Sequence, residues 1–164
     1  MGSGKTTVGR LLAARTGAVF VDLDARVERM FGQTVAELFA KGEDTFRACE
    51  HAAFTALLAE PSFAARDVVV ATGGGLVLDL RHRDAMATCG RIVWLAVDVA
   101  TLVARLEPEA AERPLLAGAS LGDRLATLAG DREAAYRDRA LAVDAGAAPE
   151  LVVDRVLATL GAGP

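Results

Sequence analysis

The stretch Gly2-Ser3-Gly4-Lys5-Thr6-Thr7-Val8-Gly9-Arg10-Leu11-Leu12-Ala13-Ala14 decides the fold. A Gly-x-Gly-Lys-Thr-Thr run that passes straight into an apolar helical pattern is the back half of the P-loop, G-x-x-x-x-G-K-[ST]. Its chemistry is that of a helix N-terminus. Backbone N–H groups cradle phosphate oxygens, a lysine ammonium sits on the β- and γ-phosphates, and a hydroxyl is placed for Mg²⁺. The first glycine of the full motif, and the strand that leads into it, would stand ahead of Met1.

Outward from the loop, helices and strands alternate. A helix over Thr6 to Thr16 leads to a short buried strand, Ala18 to Leu23 (AVFVDL), which ends in Asp22 and Asp24. A helix from Ala25 to Phe31 stops at Gly32, and Thr34 with Glu37 forms a capping box that opens another helix through Ala40. A longer helix follows over about Asp44 to Ala59. Asp67 to Thr72 (DVVVAT) is a β-branched run that breaks into Gly73-Gly74-Gly75, as expected of a buried strand meeting a tight loop. Leu80 to Thr88 reads as a helix, Arg91 to Val97 (RIVWLAV) as an apolar strand, and Asp98 with Thr101 as the start of a helix ending near Leu106. Residues 107–122, with Pro108 and Pro114, fit no stable element and are read as a mobile lid. A helix from about Leu121 to Arg139, a strand over Leu141 to Val143 and a helix from Glu150 to Leu160 complete the pattern. Such alternation predicts a parallel sheet of the doubly wound type.

Composition limits the function. A chain of 164 residues is one domain in length, and 52% hydrophobic with 24% charged residues is far from the make-up of a disordered chain. The longest stretch without a charge or histidine, Val68 to Leu78, is short of the about 20 residues a spanning helix needs, so no membrane partner is expected. The first residues carry no apolar signal region, and the cytoplasm is the expected compartment. A net charge of −4 argues against a nucleic-acid surface, while leaving room for a local cationic pocket. Cys49 and Cys89 have no metal-ligand spacing and are read as small buried apolar residues.

Several residues outside the loop could carry chemistry. Asp22 and Asp24 stand at the carboxyl end of a strand, where open α/β sheets gather ligands, and at i and i+2 on extended backbone they would point the same way; Asp24 could equally be a helix N-cap. Arg47 and Glu50 share a helix face, as an ordinary surface pair would. Gly73 to Gly75 lets a ligand approach bare backbone. Arg113 falls in the proposed lid, and Arg132 lies four residues before Tyr136.

Together, Lys5-Thr6, Asp22-Leu23-Asp24, Phe46-Arg47-x-x-Glu50, Thr72-Gly73-Gly74-Gly75, Arg113-Pro114-Leu115-Leu116 and Arg132-x-x-x-Tyr136 resemble the shikimate kinases in order and spacing, over essentially the whole chain. The resemblance implies one domain over 1–164: a P-loop NTPase-type three-layer αβα fold with a parallel sheet of order 2-3-1-4-5, its first strand absent from this chain. A substrate-binding helical region would lie at about 25–60 and the lid at about 107–122. It implies transfer of the ATP γ-phosphoryl group to the 3-hydroxyl of shikimate, in the route to chorismate and the aromatic amino acids.

The family's residues carry over as follows. Gly2, Ser3, Gly4, Lys5, Thr6 and Thr7 would hold the ATP phosphates, with Arg105 against the adenine. Thr6 and Asp22 would serve one Mg²⁺ ion. Asp24 would orient or deprotonate the attacking hydroxyl. Arg47 and Arg132 would grip the substrate carboxylate, with Glu50 bracing Arg47, and Gly73, Gly74 and Gly75 would line the substrate. Lys5 and Arg113 would neutralise charge on the transferring phosphoryl. The partners implied are ATP and shikimate, with the chain a monomer. Close to the C-terminus Ala147-Ala148-Pro149 departs from the family by offering no polar side chain to the base.

Alternatives remain at this level. A gluconate kinase would share the loop, and a truncated kinase could bind without turnover. A GTPase would need an Asn-Lys-x-Asp context that Lys41 lacks. An ATPase could use Asp98 as its metal carboxylate, although a helix N-cap suits that residue better.

Overall fold

The structure, a computed structural model, describes residues 2–107 and 120–161. Its elements are α1 (Lys5–Thr16), β1 (Val19–Asp22), α2 (Leu23–Phe31), α3 (Val35–Ala40), α4 (Glu43–Leu58), α5 (Pro61–Ala64), β2 (Val68–Ala71), a 3₁₀ turn (Leu76–Leu78), α6 (Leu80–Cys89), β3 (Ile92–Ala96), α7 (Val99–Leu106), α8 (Leu121–Arg139), β4 (Ala140–Asp144) and α9 (Pro149–Gly161). They fall into two compact units, Gly9–Leu76 and Met1–Val8 with Val77–Pro164.

In the Gly9–Leu76 unit, β1 and β2 pair in parallel with Val19 opposite Val68 and Asp22 opposite Ala71. That register brings the carboxyl ends of both strands level. The sequence therefore delivers Asp22 to Asp24 and Thr72 to Gly75 to one edge. The core beneath is made by α2, α3 and α4, whose apolar stripes bury Leu23, Val27, Leu38, Phe46, Ala53, Phe54 and Leu57. Each full burial of a Leu or Val is worth about 1.5–3 kcal/mol. Local signals set the helix ends. Gly32 takes the left-handed conformation (φ 65) that closes α2, and Thr34 with Glu37 forms the expected capping box on α3. Arg26 fastens α2 to the end of α4, donating to the Ala53 carbonyl at 3.2 Å and pairing with Glu60 at 2.6 Å.

In the other unit β3 and β4 pair in parallel, from Ile92 opposite Ala140 to Ala96 opposite Asp144. Leu102, Leu106 and Leu125 knit α7 to α8, while Val152, Val153 and Val156 of α9 are buried. Asp98 caps α7 with both oxygens, Oδ1 accepting from the Thr101 N–H at 2.8 Å and Oδ2 from the Thr101 hydroxyl at 2.7 Å, so the carboxylate that an ATPase would give to metal is fully engaged at the helix start. Arg83 of α6 donates to the Val77 carbonyl at 2.6 Å and pairs with Asp138 of α8 at 3.0 Å.

The ladders found, β1–β2 and β3–β4, are the neighbouring pairs 2-3 and 4-5 of the expected order 2-3-1-4-5. The wholly apolar runs VVV of β2 and IVWLA of β3 keep intermediate exposure, as strands with one ladder neighbour do among the described residues. Three details differ from the sequence expectation. Pro61–Ala64 forms a short helix, because proline's fixed φ suits the first helical turn. Cys89 is exposed rather than buried, being the last residue of α6, and Cys49 is half-buried. Helix α2 begins at Leu23, so Asp22 is its N-cap and Asp24 lies in its first turn. The two carboxylates thus do not share one face of an extended segment.

Candidate active site

The loop before α1 is built by glycine. Gly2 (φ 71) and Gly4 (φ 84) occupy the left-handed region that side chains avoid, and a Cβ on Gly2 would stand 2.9 Å from the Leu106 side chain. Helix α1 starts at Lys5 with no acidic residue in its first turn, leaving the positive end of its dipole for an anion. The Lys5 ammonium lies 3.5 Å from the Ser3 hydroxyl, over the loop. Arg105 donates to the carbonyls of Ala145 (3.1 Å), Ala147 (3.4 Å) and Gly2 (3.4 Å), so it joins the P-loop to the segment after β4. That segment holds the Ala147-Ala148-Pro149 run. Arg132 of α8 is 8% exposed, and one turn on, the Tyr136 ring stacks on Trp94 of β3 with centroids 5.5 Å apart. Arg113 lies outside the described residues.

In the Gly9–Leu76 unit Asp24, Arg47, Glu50, Gly73 and Gly75 form one cluster. Arg47 Nη1 donates to Glu50 Oε2 at 2.7 Å, and Glu50 is 1% exposed while Arg47 is half-buried, so the pair reaches into the core and is not a surface one. On its other side the guanidinium donates to Glu43 Oε1, from Nη2 at 2.9 Å and from Nε at 3.3 Å. Its faces rest on aromatic rings, with Cζ 5.1 Å from the Phe46 centroid and 5.8 Å from that of Phe39. Burial draws the Arg47 pKa down; the charge of Glu50 and the hydrogen bonds Arg47 donates to Glu50 and Glu43 more than offset this, leaving it above its ordinary value. Arg47 is a permanent cation fixed in plane.

The glycine run closes the cluster. A Cβ on Gly73 would overlap Glu50 Oε1 and stand 3.4 Å from Asp24 Oδ1, and a Cβ on Gly75 would overlap the Arg47 guanidinium. Neither glycine has positive φ, so what is required here is room for close approach. Asp24 Oδ1 and Glu50 Oε1 are both shut off from solvent. Asp24, Arg47, Glu50, Gly73 and Gly75, which the sequence resemblance assigns to the substrate, thus lie together. Glu43 and the Phe39–Phe46 stack (4.4 Å between centroids) are the parts it overlooked, although the Glu43–Arg47 spacing of i, i+4 was a legible signal.

For a divalent cation the donor chemistry fits Mg²⁺. Among the described residues there is no group of three or more His, Cys, Asp or Glu that could cage a metal. Mg²⁺ needs none, since it commonly takes one or two protein oxygens together with substrate phosphates and water. Thr6 offers a hydroxyl and Asp22 a carboxylate whose Oδ1 accepts the Ala25 N–H at 3.2 Å.

A glycine-built loop opening a helix, on an α/β scaffold of parallel strand pairs, marks the P-loop kinases. The family model described as "Shikimate kinase" matches residues 1–161, and the chain belongs to the shikimate kinase family. A shikimate kinase of Gloeobacter violaceus is 45% identical over 163 residues, covering 99% of this chain and 89% of that protein. Among solved structures, a shikimate kinase from Bacteroides thetaiotaomicron superposes with a TM-score of 0.86 at 30% identity, covering 98% of this chain and 94% of that one. One from Acinetobacter baumannii, in complex with shikimate, gives 0.85 at 32% identity, covering 98% and 89%. Among the described residues no helix is long and apolar enough to cross a membrane.

Proposed function

We propose that this chain transfers the γ-phosphoryl group of ATP to the 3-hydroxyl of shikimate, giving shikimate 3-phosphate and ADP. The observation that carries this is the fixed Arg47 cation, braced by buried Glu50 and packed against Gly75, with Asp24 beside Gly73. It is a carboxylate receptor next to a carboxylate suited to engage a hydroxyl. A cytosolic setting and a monomeric state belong to the same reading.

Phosphoryl transfer asks for positioning and charge neutralisation more than covalent help. Gly2 to Thr7 bind the ATP phosphates through backbone N–H groups, and Lys5 places its charge on the β/γ oxygens. Thr6 and Asp22 would hold Mg²⁺, which when bound neutralises phosphate charge. Arg47 and Arg132 bind the substrate carboxylate, for which the guanidinium fork is shaped, and Gly73 to Gly75 keep the ring close to backbone. Asp24 accepts the proton of the 3-hydroxyl as that oxygen forms its bond to γ-phosphorus, while the bond from phosphorus to the bridging oxygen of ADP breaks. Arg113 stabilises charge on the transferring group, and Arg105 orders the segment beside the base.

ADP release measured with shikimate, with gluconate and with no acceptor tests the assignment. Turnover that depends on shikimate supports it. Equal rates with gluconate, or binding without turnover, would overturn it in favour of a related sugar-acid kinase or a binding module.

A further inference from the structure

We infer that Glu43 is a placeholder for the substrate carboxylate on Arg47, so that substrate binding is an exchange of one carboxylate for another. The inference rests on the reading of Arg47 as the carboxylate receptor. A guanidinium can take a carboxylate with two parallel bonds along its Nη1/Nη2 end or along its Nε/Nη2 side. Glu50 holds Nη1 from a buried position, with Phe39, Phe46 and Gly75 fixing the plane of the group, so the end is partly committed. The Nε/Nη2 side is held by a single oxygen of Glu43, at 3.3 and 2.9 Å. The Glu43 side chain is 51% exposed against 1% for Glu50, so Glu43 is the partner that can swing into water.

The energetics allow the exchange. An exposed i, i+4 pair of this kind contributes little, whereas stripping Glu50 from Arg47 would leave a buried charge uncompensated. An incoming acid therefore displaces Glu43 and keeps Glu50, and a ligand without a carboxylate has no means of doing so. Glu43 would thereby lower affinity for every ligand that docks on this side of Arg47 and help reject neutral ring polyols.

Calorimetric titration with shikimate of the full chain, of Glu43→Gln, of Arg47→Ala and of the double variant tests this, with Glu43→Ala as a second replacement. Glu43→Gln is expected to tighten shikimate about 1.7-fold to 2.3-fold, the worth of an exposed i, i+4 pair, and to lose that effect in the Arg47→Ala background. Unchanged or weaker binding by Glu43→Gln would overturn the exchange and make Glu43 a support for Arg47. Equal tightening in both backgrounds would also overturn it, as general charge repulsion. If Arg47→Ala alone leaves shikimate affinity intact, Arg47 is not the receptor and the functional reading fails at its root.

Discussion

At the scale of single residues, the account turns on Asp24 and on the room made by two glycines. If Asp24 accepts the hydroxyl proton, Asp24→Asn removes the base while keeping size and polarity, and kcat should fall by roughly 10² to 10⁴. A near-normal kcat in steady-state assays would take Asp24 out of the chemistry. Gly75→Ala sets a methyl against the Arg47 guanidinium and must displace it from its present position. Losing one charge-assisted hydrogen bond to the substrate corresponds to about 1.5–3 kcal/mol, so the KM for shikimate should rise roughly tenfold or more, while the KM for ATP stays put. A parallel rise in both would point to general misfolding. Much of this was legible in sequence, since Arg47, Glu50 and the glycine run stand out as a pattern. What the glycines are for was not, because only the packing shows that Gly73 abuts Glu50 and Gly75 abuts Arg47. The placement of Asp24 was misjudged for a similar reason: Asp22 and Asp24 are both able caps, and where α2 begins decides between them.

At the scale of elements, the caps are the most local signals and the most readable. Thr34 with Glu37, Gly32 and Asp98 all act as their residue types imply, because each needs only its neighbours within a turn. The Asp98 carboxyl is held below its usual range by the Thr101 N–H and then by the Thr101 hydroxyl. A depressed carboxylate contributes stability above its ordinary pKa of about 4 and loses it as pH falls through the folded value. Asp98→Asn keeps a competent cap that does not titrate. The variant should therefore show a shallower loss of stability below about pH 4, read as urea midpoints against pH. Identical acid limbs would show that the Asp98 cap is not coupled to folding. Cys89 marks the limit of such local reading, since its type suggested burial while its place at the end of α6 exposes it.

At the scale of the whole molecule, two parallel strand pairs each carry their own buried core, and they are the neighbouring pairs 2-3 and 4-5 of the expected order. Alternating apolar runs announced a parallel α/β fold, but which strand pairs with which came from the likeness to a family; strand runs as uniform as VVV and IVWLA do not encode their neighbours. The motifs joined to that fold make one claim: the chain moves phosphate from ATP to a particular hydroxyl of shikimate. Phosphorus NMR of the product formed from ATP, Mg²⁺ and shikimate tests it most directly. The account predicts one new phosphomonoester coupled to the proton at ring position 3, with ADP in equal amount. Inorganic phosphate as the sole product, or a phosphoryl group on another hydroxyl, would contradict it.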